Sequence, residues 1–174
     1  TLFLGRDRFG EKPLYYGFQD DVLVFSSELK SLKLHPNFIN KVDRSALADY
    51  LKYAYVPSPR SIYMGISKLE AGTYFSVSKS GVDPKIRSYW SAVDSAEIAK
   101  KAQFSCDDVT IESGLNKVLM AAVKEQMISD VPVGSFLSGG VDSSLITALM
   151  QVQSSKPIKT FTIGFNDRNY NEAH

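Results

Sequence analysis

Near the carboxyl end, Ser138-Gly139-Gly140-Val141-Asp142-Ser143-Ser144 gathers small residues, hydroxyls and one carboxylate into seven positions. The run lies between PVGSFL, which reads as a strand, and SSLITALM, which reads as a helix. A loop at the carboxyl end of a parallel strand, opening into a helix, is where an α/β sheet binds anionic ligands. The two glycines permit positive φ and bring the backbone close to a ligand, with no Cβ in the way. The free N–H groups of the helix's first turn, at its positive dipole end, then face a phosphate. Ser138, Ser143 and Ser144 can add hydroxyl donors. Asp142 would repel a pyrophosphate by itself. Its presence makes sense if it holds Mg²⁺, which takes one or two carboxylates together with phosphate oxygens. No Gly-Lys-Ser/Thr follows, so the loop is not a Walker A motif, and it lacks the G-x-G-x-x-G of a dinucleotide fingerprint. The plain alternative is a Gly-Gly turn capped by Asp and Ser, but generic turn chemistry does not require this strand–helix setting.

The flanking elements must place that loop. Ile111, Leu115, Val118, Leu119, Ala122 and Val123 fall on one face of a helix of about five turns. Val133 to Leu137 reads as a short strand, Ser143 to Gln151 as a helix and Ile158 to Phe165 as a second strand. Together they make a βαβ unit of a parallel sheet. The first ninety residues read as mainly β with one helix. Thr1 to Leu4 is a short apolar run, and Pro13 to Phe18 and Val22 to Phe25 flank Gln19-Asp20-Asp21 as a hairpin. Asp43 is the predicted N-cap of a helix carrying Leu47, Tyr50, Leu51 and Ala54 at helical spacing. Pro57 and Pro59 end that helix by Val56. Thr73 to Ser78 alternates as a strand and turns at Ser80-Gly81. Residues 92–107 are small and polar, lack a clear apolar face and read as a linker. The predicted organisation is therefore 1–91, a linker over 92–107, and 108–174.

Composition narrows the function classes. The chain has 174 residues, 44% hydrophobic and 22% charged, which suits one large or two small globular domains. Twenty Lys+Arg against 19 Asp+Glu give a net charge of +1, so no global field steers it to nucleic acid or an acidic membrane. Cys106 is the only cysteine, which excludes a disulfide scaffold, and no His/Cys cluster suggests zinc. No apolar run reaches the roughly 18 residues of a membrane span. TLFLGRDRFG has neither a basic n-region nor a long apolar h-region, so a signal peptide is not expected. The expectation is a cytoplasmic polypeptide; without an initiator Met, it is expected to be a fragment.

SFLSGGVDSS resembles the PP-loop (S-G-G-x-D-S) of the N-type ATP pyrophosphatases, which cleave ATP between the α and β phosphates and adenylate an oxygen. DVPVG before it, TFTIGF after it and the closing YNEAH together resemble the glutamine-hydrolysing asparagine synthetases. In the amino-terminal half, GRDRFGEKPLYYG and FSSELKSL resemble the later part of that family's class II glutamine amidotransferase domain. YLKYAYVPSPRSIYMGISKLEAGTY and RSYW resemble its end and exit. The resemblance implies an α+β fold first, the tail of an Ntn-hydrolase-type amidotransferase domain. An α/β fold follows, the start of a parallel-sheet PP-loop synthetase domain.

The resemblance further implies ATP and Mg²⁺ as cofactors, and amidation of aspartate through β-aspartyl-AMP with glutamine-derived ammonia. Pyrophosphate would be held by Ser138, Gly139, Gly140, Asp142, Ser143 and Ser144, with Asp142 as the metal ligand. Adenine would be contacted largely through backbone at Phe136 and Ile163. In this family a cysteine nucleophile and the glutamine-binding residues lie ahead of the segment seen here, and a second phosphate and aspartate site lies beyond His174. No catalytic nucleophile is therefore assigned in the chain, which alone should not turn over. Thr1 reads as the start of a strand, and Cys106 as an ordinary free thiol.

Arg6, Asp7 and Arg8 match a family segment at a domain interface or ammonia passage; the plain reading is an exposed ion-pair loop of small worth. Ser26, Ser27, Glu28 and Leu29 match a segment beside the tunnel and are equally well read as structural. Tyr15, Tyr16, Tyr53, Tyr55, Tyr74, Phe75, Tyr89 and Trp90 read as core packing. Two alternatives stay open: the same chemistry on another carboxylate, such as a polysaccharide uronic acid or a secondary metabolite, and a non-catalytic nucleotide-binding relic. The implied partners are small molecules, with a homodimer compatible with the resemblance and no nucleic acid or membrane partner.

Overall fold

The computed structural model describes residues 1–78 and 85–166. The predicted turn at Ser80-Gly81 and the closing YNEAH lie outside those residues. The chain divides into two compact units, Thr1–Gln103 and Phe104–His174.

In the first unit, β2 (Tyr15–Gln19) and β3 (Val22–Ser26) form the expected antiparallel hairpin, with Gln19 opposite Val22. Asp20 and Asp21 turn the chain with φ of 48° and 61°, both left-handed, which is the two-residue geometry that matches strand twist. Strand β4 (Ile66–Lys68) pairs with the other edge of β2. A second antiparallel sheet sets β5 (Thr73–Val77) between β1 (Leu2–Gly5) and β6 (Arg87–Ser88). Phe75, Leu4 and Leu69 are buried together in one cluster, and Val24, Leu32 and Ile66 in another. Gln19, reached by sequence only as a turn residue, is 2% exposed. Its amide donates to the Met64 carbonyl at 3.2 Å and accepts from the Ile39 N–H, so a buried polar side chain is satisfied at both ends.

Helix α2 (Arg44–Tyr53) follows the predicted cap: Asp43 accepts from Ser45 N–H at 2.8 Å and Ala46 N–H at 3.3 Å. It ends at Ala54, which is left-handed at φ 61°. Its buried residue is Ala46, whereas Leu47, Tyr50 and Leu51 are exposed, Leu51 by 77%. The apolar stripe read from helical spacing is thus not the face this unit packs. A further short helix, α1 (Leu29–Leu32), adds to the one expected.

Within the segment expected as a linker, α3 (Ala92–Lys101) forms, with Ser91 accepting from Asp94 N–H. That helix buries none of its residues, consistent with its small, polar sequence; cap and end charges supply what apolar periodicity does not. Tyr53, Tyr55 and Tyr89 are exposed rather than core; Tyr89 uses its hydroxyl, 2.7 Å from the Arg6 carbonyl, as a strap. Among the described residues, Arg6, Asp7 and Arg8 take part in no ion pair. Arg6 donates to the carbonyls of Lys12, Leu69 and Gly10 at 3.0, 2.6 and 2.7 Å, and Asp7 accepts the N–H groups of Glu11 and Lys12. Both side chains organise backbone. Those amides, Lys12 first and then Glu11, hold the Asp7 carboxyl below its ordinary value.

In the second unit, α4 (Asp108–Gln126) precedes β7 (Gly134–Phe136), α5 (Val141–Val152) and β8 (Lys159–Phe161). β7 and β8 are parallel, with Gly134 opposite Lys159 and Phe136 opposite Phe161, so β7–α5–β8 is a βαβ unit. Val123, Leu149 and Met150 form the buried cluster, with Leu119, Met127 and Ile158 against it. Only the later part of the predicted α4 face is covered: Ile111, Leu115 and Val118 are exposed. The 12-residue α5 and two three-residue strands are too short to cover 19 residues of α4. Among the described residues, no helix is long and apolar enough to cross a membrane.

Candidate functional site

Gly134 opens β7 where there is no room for a side chain. A Cβ there would lie 2.6 Å from the Phe161 ring and 2.9 Å from the Lys159 carbonyl oxygen. The close pairing continues to the loop: Leu137 N–H donates to the Phe161 carbonyl at 2.9 Å, and Thr162 returns its hydroxyl to the Leu137 carbonyl at 2.7 Å. The chain then leaves the sheet at Ser138 and turns at Gly139, whose φ of +81° is the left-handed conformation glycine adopts without strain. Gly140 differs from expectation. It is the N-cap of α5 at φ −73°, and a Cβ would meet only Ser138 Oγ at 3.6 Å and Ser143 Oγ at 4.0 Å. One glycine, not two, makes the left-handed turn; the other leaves the mouth of the helix open.

The amides of α5's first turn have no acceptor within the helix, and no side chain caps them. Ser144 N–H makes the first helical bond, to the Gly140 carbonyl at 3.1 Å. Ser143 Oγ donates to that same carbonyl at 3.1 Å, and it receives the Ser138 N–H at 3.3 Å. Ser138 Oγ lies 3.1 Å from Ser143 Oγ. Because the single proton of Ser143 goes to Gly140, Ser138 is the donor between the two hydroxyls. These hydroxyls close the loop on itself. Both can rotate outward to an anion, since each is fixed only by exchangeable hydrogen bonds.

Asp142 is exposed at the second position of α5. Among the described residues, no group of three His, Cys, Asp or Glu side chains is placed to hold a metal ion. A lone exposed carboxylate is a single hard oxygen donor, of the kind Mg²⁺ takes together with phosphate oxygens. It does not fit a structural metal cage.

Phe136, Ser138 and Ile163 come together. With Leu137, Phe161 and Thr162 they line a cavity of about 270 Å³ beside the loop. Phe136 and Ile163 are 75% and 64% exposed, so apolar surface is available to a flat ring there. Sequence reasoning does not single out Ser135 and Thr147, whose hydroxyls lie 3.0 Å apart between β7 and α5. The one available signal is a serine inside an otherwise apolar strand.

A family model described as glutamine amidotransferase domain matches residues 1–90, just over half of the chain. The chain belongs to the glutamine amidotransferase domain family. A second model, asparagine synthase, matches residues 114–174 and includes the whole loop. Over 173 residues, 99% of the amidotransferase-family chain, it is 36% identical to asparagine synthetase [glutamine-hydrolyzing] 1 of Bacillus subtilis (strain 168), covering 26% of that protein. It is 39% identical over 178 residues, again 99% of its length, to putative asparagine synthetase [glutamine-hydrolyzing] 2 of Methanocaldococcus jannaschii, covering 32% of it. Asparagine synthetase [glutamine-hydrolyzing] 3 of Bacillus subtilis is 33% identical over 95% of the chain. The chain thus spans about a quarter to a third of the length of these curated relatives.

Proposed function

We propose that this chain belongs to an enzyme that converts aspartate to asparagine with ATP and glutamine-derived ammonia, and that its own part is to hold the nucleotide. The observation that supports this most directly is the left-handed Gly139 turn opening onto the uncapped first turn of α5, beside the cavity shared by Phe136, Ser138 and Ile163. Amides at a helix start, two rotatable hydroxyls and an adjoining apolar recess suit a triphosphate at one end and a purine at the other.

In this reading the main-chain amides of the loop and first turn, with Ser138, Ser143 and Ser144, bind the β and γ phosphates. Phe136 and Ile163 form the walls against adenine, whose edge meets the backbone. Asp142 would hold Mg²⁺, which neutralises phosphate charge when bound. The aspartate β-carboxylate oxygen attacks the α phosphorus and the bond to the β-phosphate oxygen breaks, so pyrophosphate leaves and β-aspartyl-AMP forms. Ammonia then attacks the acyl carbon, AMP departs with the bonding electron pair, and the surplus proton passes to solvent. The contribution of these residues is positioning and charge stabilisation of the leaving group, and no protein nucleophile is required.

The test is pyrophosphate release by the intact protein supplied with ATP, Mg²⁺ and glutamine. Release that depends on added aspartate, with asparagine and AMP formed in equal amounts, is the expected result. Release that responds to a different carboxylate overturns the acceptor, and absence of any release overturns the enzyme reading in favour of a nucleotide-binding relic.

A further inference from the structure

We infer that Ser135 and Thr147, both outside the glycine-rich loop, form a one-way hydroxyl relay that holds Ser143 and thereby sets how tightly the loop grips a pyrophosphate-bearing nucleotide. The inference rests on the nucleotide reading above. Ser135 is the middle residue of β7, 7% exposed, and among residues 104–166 it is the one buried polar side chain. Thr147 lies two turns into α5, half-buried. Their oxygens are 3.0 Å apart, a distance that leaves the donor undetermined.

A third atom determines it. Thr147 Oγ1 is 2.8 Å from the carbonyl oxygen of Ser143, which can only accept. A threonine hydroxyl has one proton, so it goes to Ser143 and Thr147 must accept from Ser135. The other acceptor near Ser135, the Phe136 carbonyl, is 3.4 Å away, outside the ordinary range for such bonds. The relay therefore runs from Ser135 O–H to Thr147 and from Thr147 O–H to the Ser143 carbonyl.

Its end point is the residue on which the loop converges. Ser143 accepts from Ser138 and donates to Gly140. An arriving phosphate must draw the Ser138 and Ser143 hydroxyls away from those partners. The relay ties the Ser143 main chain to the strand beneath, so the side chain can turn while the first turn of α5 stays aimed. A back-bonded threonine alone would loosen this turn of the helix; a strand hydroxyl behind it keeps the oxygen in place.

The test is titration of the intact protein with α,β-methylene-ATP and Mg²⁺ by calorimetry, with thermal unfolding recorded in parallel. Thr147→Val keeps the shape and removes the hydroxyl, and its affinity should fall about three- to tenfold, the worth of one or two hydrogen bonds. Thr147→Ser should restore binding. Ser135→Ala should lose a similar factor, and the double variant should lose no more than the worse single one, because the two act through one chain of bonds. Unchanged affinity in Thr147→Val overturns the inference, even if its unfolding temperature drops, since that combination describes packing alone. Full additivity in the double variant overturns it as well. If the unmodified protein does not bind α,β-methylene-ATP, the nucleotide reading fails and the inference falls with it, a result distinct from intact binding in the variants.

Discussion

Phe136 and Phe161 stand opposite each other in the parallel register of β7 and β8, with ring centroids 6.5 Å apart. Both rings line the recess beside the glycine-rich loop. The pairing that makes the βαβ unit therefore also shapes the place where a nucleotide base would lie, and changes to the strands should be felt in binding.

Gly134→Ala tests that link. The added Cβ meets the Phe161 ring and the Lys159 carbonyl at distances that force β8 away. Overpacking of this kind costs about 1–3 kcal/mol. Urea unfolding should show that loss, and affinity for α,β-methylene-ATP should fall with it. Wild-type affinity in the variant would separate the strands from the site.

Asp142→Asn addresses the carboxylate. The side chain is exposed, so loss of charge near a helix start should change stability by under about 1 kcal/mol. Pyrophosphate release by the intact protein should fall on the order of a hundredfold or more if the charge is needed to hold Mg²⁺. Retained activity would remove Asp142 from the metal site.

Asp7 predicts an acid limb in the stability of the amino-terminal unit. Its carboxyl is held below 3.8 by main-chain amides of Lys12 and Glu11. A carboxyl whose folded pKa is depressed stabilises the fold above its unfolded value, and that contribution is lost as pH falls through the folded value. Unfolding followed from pH 7 downward should therefore steepen below about pH 3.8. In Asp7→Asn stability should start lower at neutral pH and decline less in acid. Parallel pH curves for the two proteins would contradict the assignment.

Phe75→Ala measures the first unit's core. Phe75 is fully buried, 4.6 Å from the Tyr16 ring by centroid, and packed with Leu4 and Leu69. Removing it should cost about 3–5 kcal/mol in urea unfolding. A cost near 1 kcal/mol would mean that the two sheets collapse onto the space.

Local signals were legible where a few adjacent residues decide the outcome. Asp43 announces its helix because an aspartate oxygen reaches the amides of Ser45 and Ala46, and Asp20-Asp21 announces a hairpin because short polar residues tolerate left-handed φ. The loop from Ser138 to Ser144 was equally readable, since its glycines, hydroxyls and strand–helix setting are contiguous in the chain. The sequence also placed Phe136 and Ile163 as candidates, though only through family resemblance.

What the chain does with its surfaces was decided by tertiary structure. Periodicity marks Leu47, Tyr50 and Leu51 as an apolar face, yet burial depends on which partner is present, and in this unit Ala46 is the residue covered. Arg6 reads as an exposed charge, yet its guanidinium reaches the carbonyl of Leu69, far along the chain, at 2.6 Å and is partly buried there. The Ser135–Thr147 contact joins residues twelve apart on different elements, and no local rule predicts it. Sequence thus marked the hairpin, the capped helix and the glycine turn, because each is short-range. Tertiary structure decided which faces are buried and where each hydroxyl proton points, because both depend on atoms brought from far along the chain.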